Sequence, residues 1–268
     1  MQYELINVTT DRRGIVRLEL DRVSKGNAYN DKLLDELNLE FDRISEDLSL
    51  RALVLVGAGK NFQCGADLRW LEEVSHNGEI ENEKASGKTY GVIQKLNLLQ
   101  LPTVALVQGL CAGGGTGLIA ACDIVLSEKT AFFSISEVRW GLNASIILPV
   151  LNAAIGTRNV RRYGLTGERF DAFKAFSLGL VHELVEPGEL ESRVEDVILE
   201  LLKSSPSAIR ATKAGILKSA WAPDSDVLDY LIKEHASIRQ SASAVEGFAS
   251  FFEGREAYWW KGLGSDNE

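Results

Sequence analysis

The sequence predicts an α/β fold with a helical C-terminal region, and three observations carry that prediction. A unit of strand, turn and helix recurs between residues 51 and 126. Its strands are short and apolar, and each is followed by a glycine-containing turn. Beyond residue 148 the apolar positions recur at helical spacing instead of alternating.

Taken in order, residues 3–8 and 15–20 alternate or run apolar on either side of a polar stretch ending at Gly14, which reads as an antiparallel hairpin. Residues 21–30 form a polar loop. Asn30 or Asp31 then caps a helix whose apolar positions Leu33, Leu34, Leu37, Phe41 and Ile44 share one face. Residues 51–56 are a strand ending at Gly57-Ala58-Gly59. A phosphate-loop reading of that end fails, because Val54 stands where the first glycine belongs and Asn61 replaces the Ser or Thr after Lys60. Residues 62–67 make a second compact turn, 68–74 begin a helix, and the polar stretch 76–87 is the expected mobile segment of the first half. Helical spacing returns over 89–99 and stops before Pro102, which pushes its predecessor out of the helical region. A strand over 103–107, a small-residue helix over 113–121 and a strand over 124–126 follow.

From residue 148 helices are expected at 158–163, 172–177, 190–204, 208–220 and 226–240, with breaks at Pro187-Gly188, 204–206 and Ala222-Pro223. A boundary near Ser205 divides a core, 1–204, from a helical region, 205–268. The aromatic residues Phe248, Phe251, Phe252, Tyr258, Trp259 and Trp260 point to burial of that end against the chain itself or a partner subunit.

Composition narrows the classes of function. The chain has 268 residues, 45% hydrophobic and 25% charged, as expected of a globular protein. Its net charge of −9 repels phosphate backbones, and the densest basic cluster, Arg158, Arg161 and Arg162, reads as a solvated helix face; no nucleic-acid partner is expected. Cys64, Cys111 and Cys122 form no C-x-x-C pair, which fits buried thiols in a reducing compartment. No targeting signal is visible and no apolar run approaches the roughly 20 residues of a membrane helix, so a cytoplasmic location without a membrane partner is expected. His76, His182 and His235 are isolated, and no metal site is assigned. Asp67 and Asp123 read as loop-orienting and capping residues.

Two stretches carry candidate chemistry. The turns at 63–67 and 112–116 each follow a strand and precede a helix, where unpaired backbone N–H groups face whatever sits there. Two such groups on one oxygen would stabilise an enolate derived from a thioester carbonyl. Glu137, flanked by Ser136 and Val138, supplies a carboxylate downstream.

These residues carry a resemblance. Gly26-Asn27-Ala28, then Gly57 to Phe62 leading into Cys64-Gly65-Ala66-Asp67-Leu68, Gly113-Gly114-Gly115 with Ala121-Cys122-Asp123, and 133–141 fall in order. Leu165-Thr166-Gly167-Glu168, Gly179-Leu180-Val181 and Glu246-Gly247 before Phe251-Phe252 continue the series. The ordered set covers almost the whole chain and resembles the crotonase (enoyl-CoA hydratase/isomerase) superfamily.

The resemblance implies a ClpP-like spiral of repeated ββα units, with a C-terminal helical region that packs against neighbouring subunits in homotrimers or hexamers. It implies an acyl-CoA substrate, with coenzyme A as part of the substrate and no separate cofactor. The oxyanion donors carry over to the backbone N–H groups of Ala66 and Gly114, and Glu137 to acid/base catalysis. Coenzyme A would lie along Ser24, Lys25 and Gly26 and along Gln63, Cys64 and Gly65. Phe252 and Arg255 would close the pocket, from the same or a neighbouring subunit.

The chain departs from the pattern at one position. Hydratases of this superfamily carry a first glutamate three residues after the middle glycine of the triplet, and Gly117 stands there. Either Glu137 acts alone or a residue such as Glu72, Glu73, Tyr90 or Asn143 replaces the missing group. The text around Glu137 is similar to the methylglutaconyl-CoA and isohexenylglutaconyl-CoA hydratase branch, and to dehydratases of carrier-protein-linked polyketide chains. Substrates of both kinds bear a second carboxylate, which Arg139 would pair with if the segment is extended; a structural salt bridge is the other reading. The expected function is therefore an acyl-CoA lyase that hydrates or dehydrates a branched, carboxylated enoyl-CoA. Decarboxylation, double-bond isomerisation, action on an acyl carrier protein substrate and a non-catalytic binding role are the alternatives.

Overall fold

In a computed structural model, residues 3–219 and 242–260 are described. The hairpin forms as expected: β1 (Ile6–Thr10) pairs antiparallel with β2 (Ile15–Leu20), Ile6 opposite Leu20. The strand starts later than the sequence alternation because the N–H groups of Glu4 and Leu5 turn to the carboxylate of Glu36, at 3.0 and 2.8 Å. That pairing explains a buried glutamate on α1 (Asp31–Glu46). The Asn30 side chain caps this helix by accepting from Leu33 N–H, and Leu33, Leu34, Leu37, Phe41 and Ile44 are all buried.

β2 continues into parallel pairing with β3 (Ala52–Gly57), then β4 (Thr103–Val107), β6 (Ile124–Glu128) and β9 (Glu183–Val185). Every residue of β3 and β4 is buried, as expected of strands covered on both faces. A second sheet holds β5 (Leu110–Ala112), β7 (Phe132–Ser134) and β8 (Phe170–Asp171), in that order. The chain alternates between the sheets: β4 leads to β5 and α4 (Gly114–Ala120), and β6 leads to β7. This alternation builds the mixed α/β fold that the sequence predicts.

α2 (Leu68–Ser75) and α3 (Glu79–Leu98) follow the first turn. The polar stretch expected to be mobile is helical from Glu79, because Thr89, Val92, Ile93 and Leu96 anchor the same continuous helix in the core. α5 (Leu148–Thr166) starts well before the predicted 158–163, with a non-helical Gly156 inside it (φ 73°, ψ 145°). α6 (Ala172–Leu178) and α7 (Leu190–Leu202) follow, and α7 covers the outer face of the large sheet through Leu190, Val194, Ile198 and Leu202.

Beyond residue 205 the described secondary structure is helical: α8 (Pro206–Ser219), α9 (Ala242–Glu253) and a 3-10 turn, Tyr258–Trp260. Lys213 on α8 is buried and bonds Asp123 and the Leu101 carbonyl, while Asp123 also accepts from Thr103 N–H. Asp123 thus orients its loop as expected. The aromatic end folds onto its own chain in part, with the Trp259 indole donating to the Lys203 carbonyl at 3.0 Å. The helix predicted at 226–240 and the side chains of Phe248, Phe251, Phe252 and Trp260 lie outside the described residues. Among the described residues, no helix is long and apolar enough to cross a membrane.

Candidate active site

The seam between the two sheets holds the site, and its frame is built from backbone. Asn27 is the keystone of the entry loop. It adopts a left-handed conformation (φ 58°), is fully buried, and its amide donates to the carbonyls of Ala58, Asn61 and Phe62 at 2.9, 3.0 and 3.1 Å. Its Oδ1 accepts from Arg22 N–H at 2.9 Å. This explains the Gly26-Asn27-Ala28 motif: Asn tolerates the left-handed region and bonds backbone from there.

Gln63 then ties the first turn. Its Nε2 donates to the Gly65 carbonyl and its Oε1 accepts from Gly65 N–H, at 2.9 and 2.8 Å, closing a ring. Its own backbone joins the second turn, with Gln63 N–H donating to Leu110 and Ala112 N–H donating to Gln63. The two turns therefore lie side by side, and a β-carbon on Gly113 would stand 3.4 Å from the Gly65 α-carbon. Among the described residues, neither Ala66 N–H nor Gly114 N–H has a partner.

Against these turns lies a cavity of about 430 Å³, lined among others by Tyr29, Cys64, Ala66, Trp70, Thr89, Gly113, Glu137, Trp140 and Ile147. Glu137 begins a 3-10 turn, Glu137–Trp140, closed by Gly141 (φ 71°). Its Oε1 is 3.2 Å from where a β-carbon would stand on Gly113, and its Oε2 is buried without a hydrogen-bond partner. Burial pushes its pKa above the usual carboxylate range, with its own N–H acting weakly the other way. A buried carboxyl with a free oxygen, packed against Gly113 in a cavity that Ala66 also lines, is suited to moving a proton.

The position opposite is filled with hydrocarbon. A β-carbon on Gly117 would stand 2.4 Å from Ile147 Cγ2 and 3.3 Å from Ile93 Cδ1. No carboxylate could occupy that place without displacing Ile147. Of the replacements considered from sequence, Glu72, Glu73 and Tyr90 are exposed and do not line the cavity; Asn143 does, with its Oδ1 accepting from Ser145 N–H.

Tyr29 is the residue that sequence reasoning missed. Its N–H donates to the Gly65 carbonyl and its own carbonyl accepts from Asp67 N–H, so its backbone runs beside the first turn. Its ring reaches the second turn, with Cε1 2.5 Å and the hydroxyl 3.2 Å from a β-carbon built on Gly114. Trp70 meets it edge to face at 6.0 Å between centroids. Burial first, and then the charge of Glu137, push its phenol pKa up, and its hydroxyl contacts Thr89. The one available signal was an aromatic residue directly after the Gly26-Asn27-Ala28 motif.

Other expectations are corrected. Gln63 is fully buried and its side chain is spent on Gly65, so it braces the turn. Arg139 does not share a face with Glu137, because the segment is a 3-10 turn and not extended. Its exposed side chain lies over Gly167, with Cγ 2.9 Å from a β-carbon built there. Arg255 does not line this cavity within the chain; Glu246 and Glu253 hold its guanidinium. Phe252, paired with it in the sequence reading, has its side chain outside the described residues.

Ser24 and Lys25 are exposed on a short turn, and Gly26 (φ 59°) packs against the Cys64 sulfur, where a β-carbon would stand only 2.7 Å away. Gly26 and Cys64 also share a backbone bond, Cys64 N–H to the Gly26 carbonyl at 3.0 Å. Burial raises the Cys64 thiol pKa while Arg169 lowers it. Asp67 caps α2 by accepting from Arg69 N–H and pairs with Arg22 at 2.7 Å, the positioning role expected of it.

The family profile described as Enoyl-CoA hydratase/isomerase matches residues 10–262. Among curated relatives, the chain is 30% identical over 216 residues to the short-chain-enoyl-CoA hydratase of Clostridium acetobutylicum, covering 80% of this chain and 82% of that protein. It is 29% identical over 271 residues to the human mitochondrial Delta(3,5)-Delta(2,4)-dienoyl-CoA isomerase, covering 95% of this chain and 81% of that one. The crystal structure of an enoyl-CoA hydratase from Shewanella pealeana superposes with a TM-score of 0.91 at 32% identity, covering 96% of this chain and 97% of that one. Fold, ordered turns and profile agree, and the chain belongs to the enoyl-CoA hydratase/isomerase family and is an enzyme of the crotonase type.

Proposed function

We propose that this enzyme adds water to, or removes it from, a 2-enoyl-CoA through a thioester enolate, with Glu137 as its single carboxylate acid/base. The observation that carries this reading is the unpartnered Glu137 oxygen, on a carboxyl packed against the Gly113 turn. In hydration, Glu137 takes a proton from water as the water oxygen bonds to Cβ. The double-bond electrons move to the thioester oxygen, which the N–H groups of Ala66 and Gly114 hold. Glu137 then returns the proton to Cα, and the net change is addition of H and OH. Dehydration runs the same steps in reverse.

For the acyl group, the text around Glu137 supports a branched methylglutaconyl-type chain. With Arg139 turned away, no Lys, Arg or His side chain lines the cavity among the described residues. A substrate carboxylate in this reading meets amide and hydroxyl groups such as Asn143 and Ser86. A second reading, double-bond isomerisation, is favoured by the apolar filling at Gly117, since one carboxylate suffices to move a proton along the chain. Assembly into homotrimers or hexamers and a cytoplasmic location belong to the same proposal; light scattering on the full chain tests the first.

Glu137→Gln tests the assignment. Crotonyl-CoA and 3-methylglutaconyl-CoA are each incubated with both forms and products are read by mass. A gain of water with the native enzyme that falls by about 10²–10⁴-fold in the variant, with CoA-ester binding retained, supports the proposal. Turnover retained in the variant overturns it, and a rearranged product of unchanged mass selects isomerisation.

A further inference from the structure

Two oxygens stand at the two ends of one peptide unit. Glu137 Oε1 lies 3.2 Å from the β-carbon position of Gly113, and Tyr29 Oη lies 3.2 Å from that of Gly114. The peptide between those two α-carbons carries the N–H of Gly114, the group assigned to the thioester oxygen. Glu137 and Tyr29 both line the cavity beside that peptide.

Hydrogen-bond accounting gives the phenol a role. A water poised to attack carbon needs both its hydrogens accepted, so that a lone pair faces the carbon. Glu137 Oε2, buried and unpartnered, accepts one. The Gly117 side of the cavity offers no second acceptor, because Ile147 and Ile93 fill it. The Thr89 hydroxyl gives its hydrogen to the Ala85 carbonyl at 3.1 Å and so does not compete for a Tyr29 Oη lone pair. Tyr29 itself lines this cavity. Asn82 and Ser75, also in the wall, donate to the carbonyls of Val74 and Glu72.

We propose that Tyr29 is a catalytic residue whose phenol oxygen accepts the second hydrogen of the attacking water, holding that water between itself and Glu137. Tyr29 keeps its own proton throughout; the only proton moved is the one Glu137 takes from the water oxygen and delivers to Cα. This inference rests on the hydration reading above and supplies the group that the chain lacks at position 117.

The experiment uses the full chain with Tyr29→Phe, which keeps the ring on Gly114 and Trp70 and removes only the oxygen. Two rates are read: hydration of crotonyl-CoA and of 3-methylglutaconyl-CoA, and exchange into deuterium oxide of the acidic proton of a 3-enoyl-CoA, a step that needs Glu137 but no attacking water. The expected result is hydration slowed in kcat by about 10–100-fold, KM changed by less than about threefold, and exchange retained within about threefold. Hydration within about twofold of the native rate overturns the inference, and so does an equal fall in hydration and exchange, which would mark a merely structural residue. Glu137→Gln separates the two levels. If Glu137→Gln still hydrates, the underlying reading fails; if it is inactive while Tyr29→Phe is fully active, only the role of Tyr29 fails.

Discussion

Gly117 and Ile147 stand so close that a β-carbon on the glycine would lie 2.4 Å from one isoleucine methyl and 2.9 Å from its Cβ. Gly117→Glu therefore does not install a second carboxylate in the present fold. The substitution is expected to destabilise the protein by at least about 1–3 kcal/mol, the usual range for overpacking, and to lower activity. Gly117→Glu combined with Ile147→Ala relieves the contact and recovers part of the lost stability. Thermal melts of the single and double variants check this.

Burial of Glu137 makes a stability prediction with a definite sign. Its folded pKa is raised, so the protonated form is favoured in the native state. The associated stability is fully present below the ordinary carboxylate range and is lost as pH rises through the raised value. Glu137→Gln removes this dependence. The variant is expected to match the native melting temperature near about pH 4. At neutral pH it is expected to exceed the native melting temperature. Melts across that pH range measure the difference.

Asn27 predicts a sharp contrast between isosteres. Asp tolerates the same left-handed backbone, but Asn27→Asp turns carboxylate oxygens toward three carbonyls that now accept from an amide. A loss of at least about 3 kcal/mol is expected, read as a fall in the urea midpoint.

Gln63→Leu keeps most of the side-chain volume and removes the ring closed on Gly65. Stability is expected to fall by about 1–3 kcal/mol and kcat by more than CoA-ester affinity. Calorimetric binding beside steady-state kinetics separates the two effects.

Elements whose apolar periodicity exceeds two turns or four alternations were legible in the sequence. α1 was read with its cap and its five buried positions, and the hairpin with its turn. β5, β7, β8 and β9 were not, because two or three residues carry no periodicity and their pairing is set by where the other sheet runs. The polar start of α3 shows the opposite case, a weak local signal carried by a well-anchored C-terminal half.

In the site, Glu137 and the two turns were readable because glycines and an isolated acid mark them. Tyr29 was not, since nothing in a polar loop says which way a ring points. Arg139 was misplaced for a related reason: whether residues two apart share a face depends on extended or 3-10 backbone, and that was decided by the glycine turn at Gly141.

The ring that the Gln63 amide closes on Gly65, together with its two backbone bonds across to Leu110 and Ala112, is complete in the chain alone. The order of the two turns is therefore settled once, during folding, and does not wait for a ligand. Binding need not then freeze those backbone torsions, which elsewhere costs roughly 1–2 kcal/mol per residue. In the proposed mechanism, more of the intrinsic attraction for the thioester is then left to act on the transition state, where the oxygen carries the greater charge.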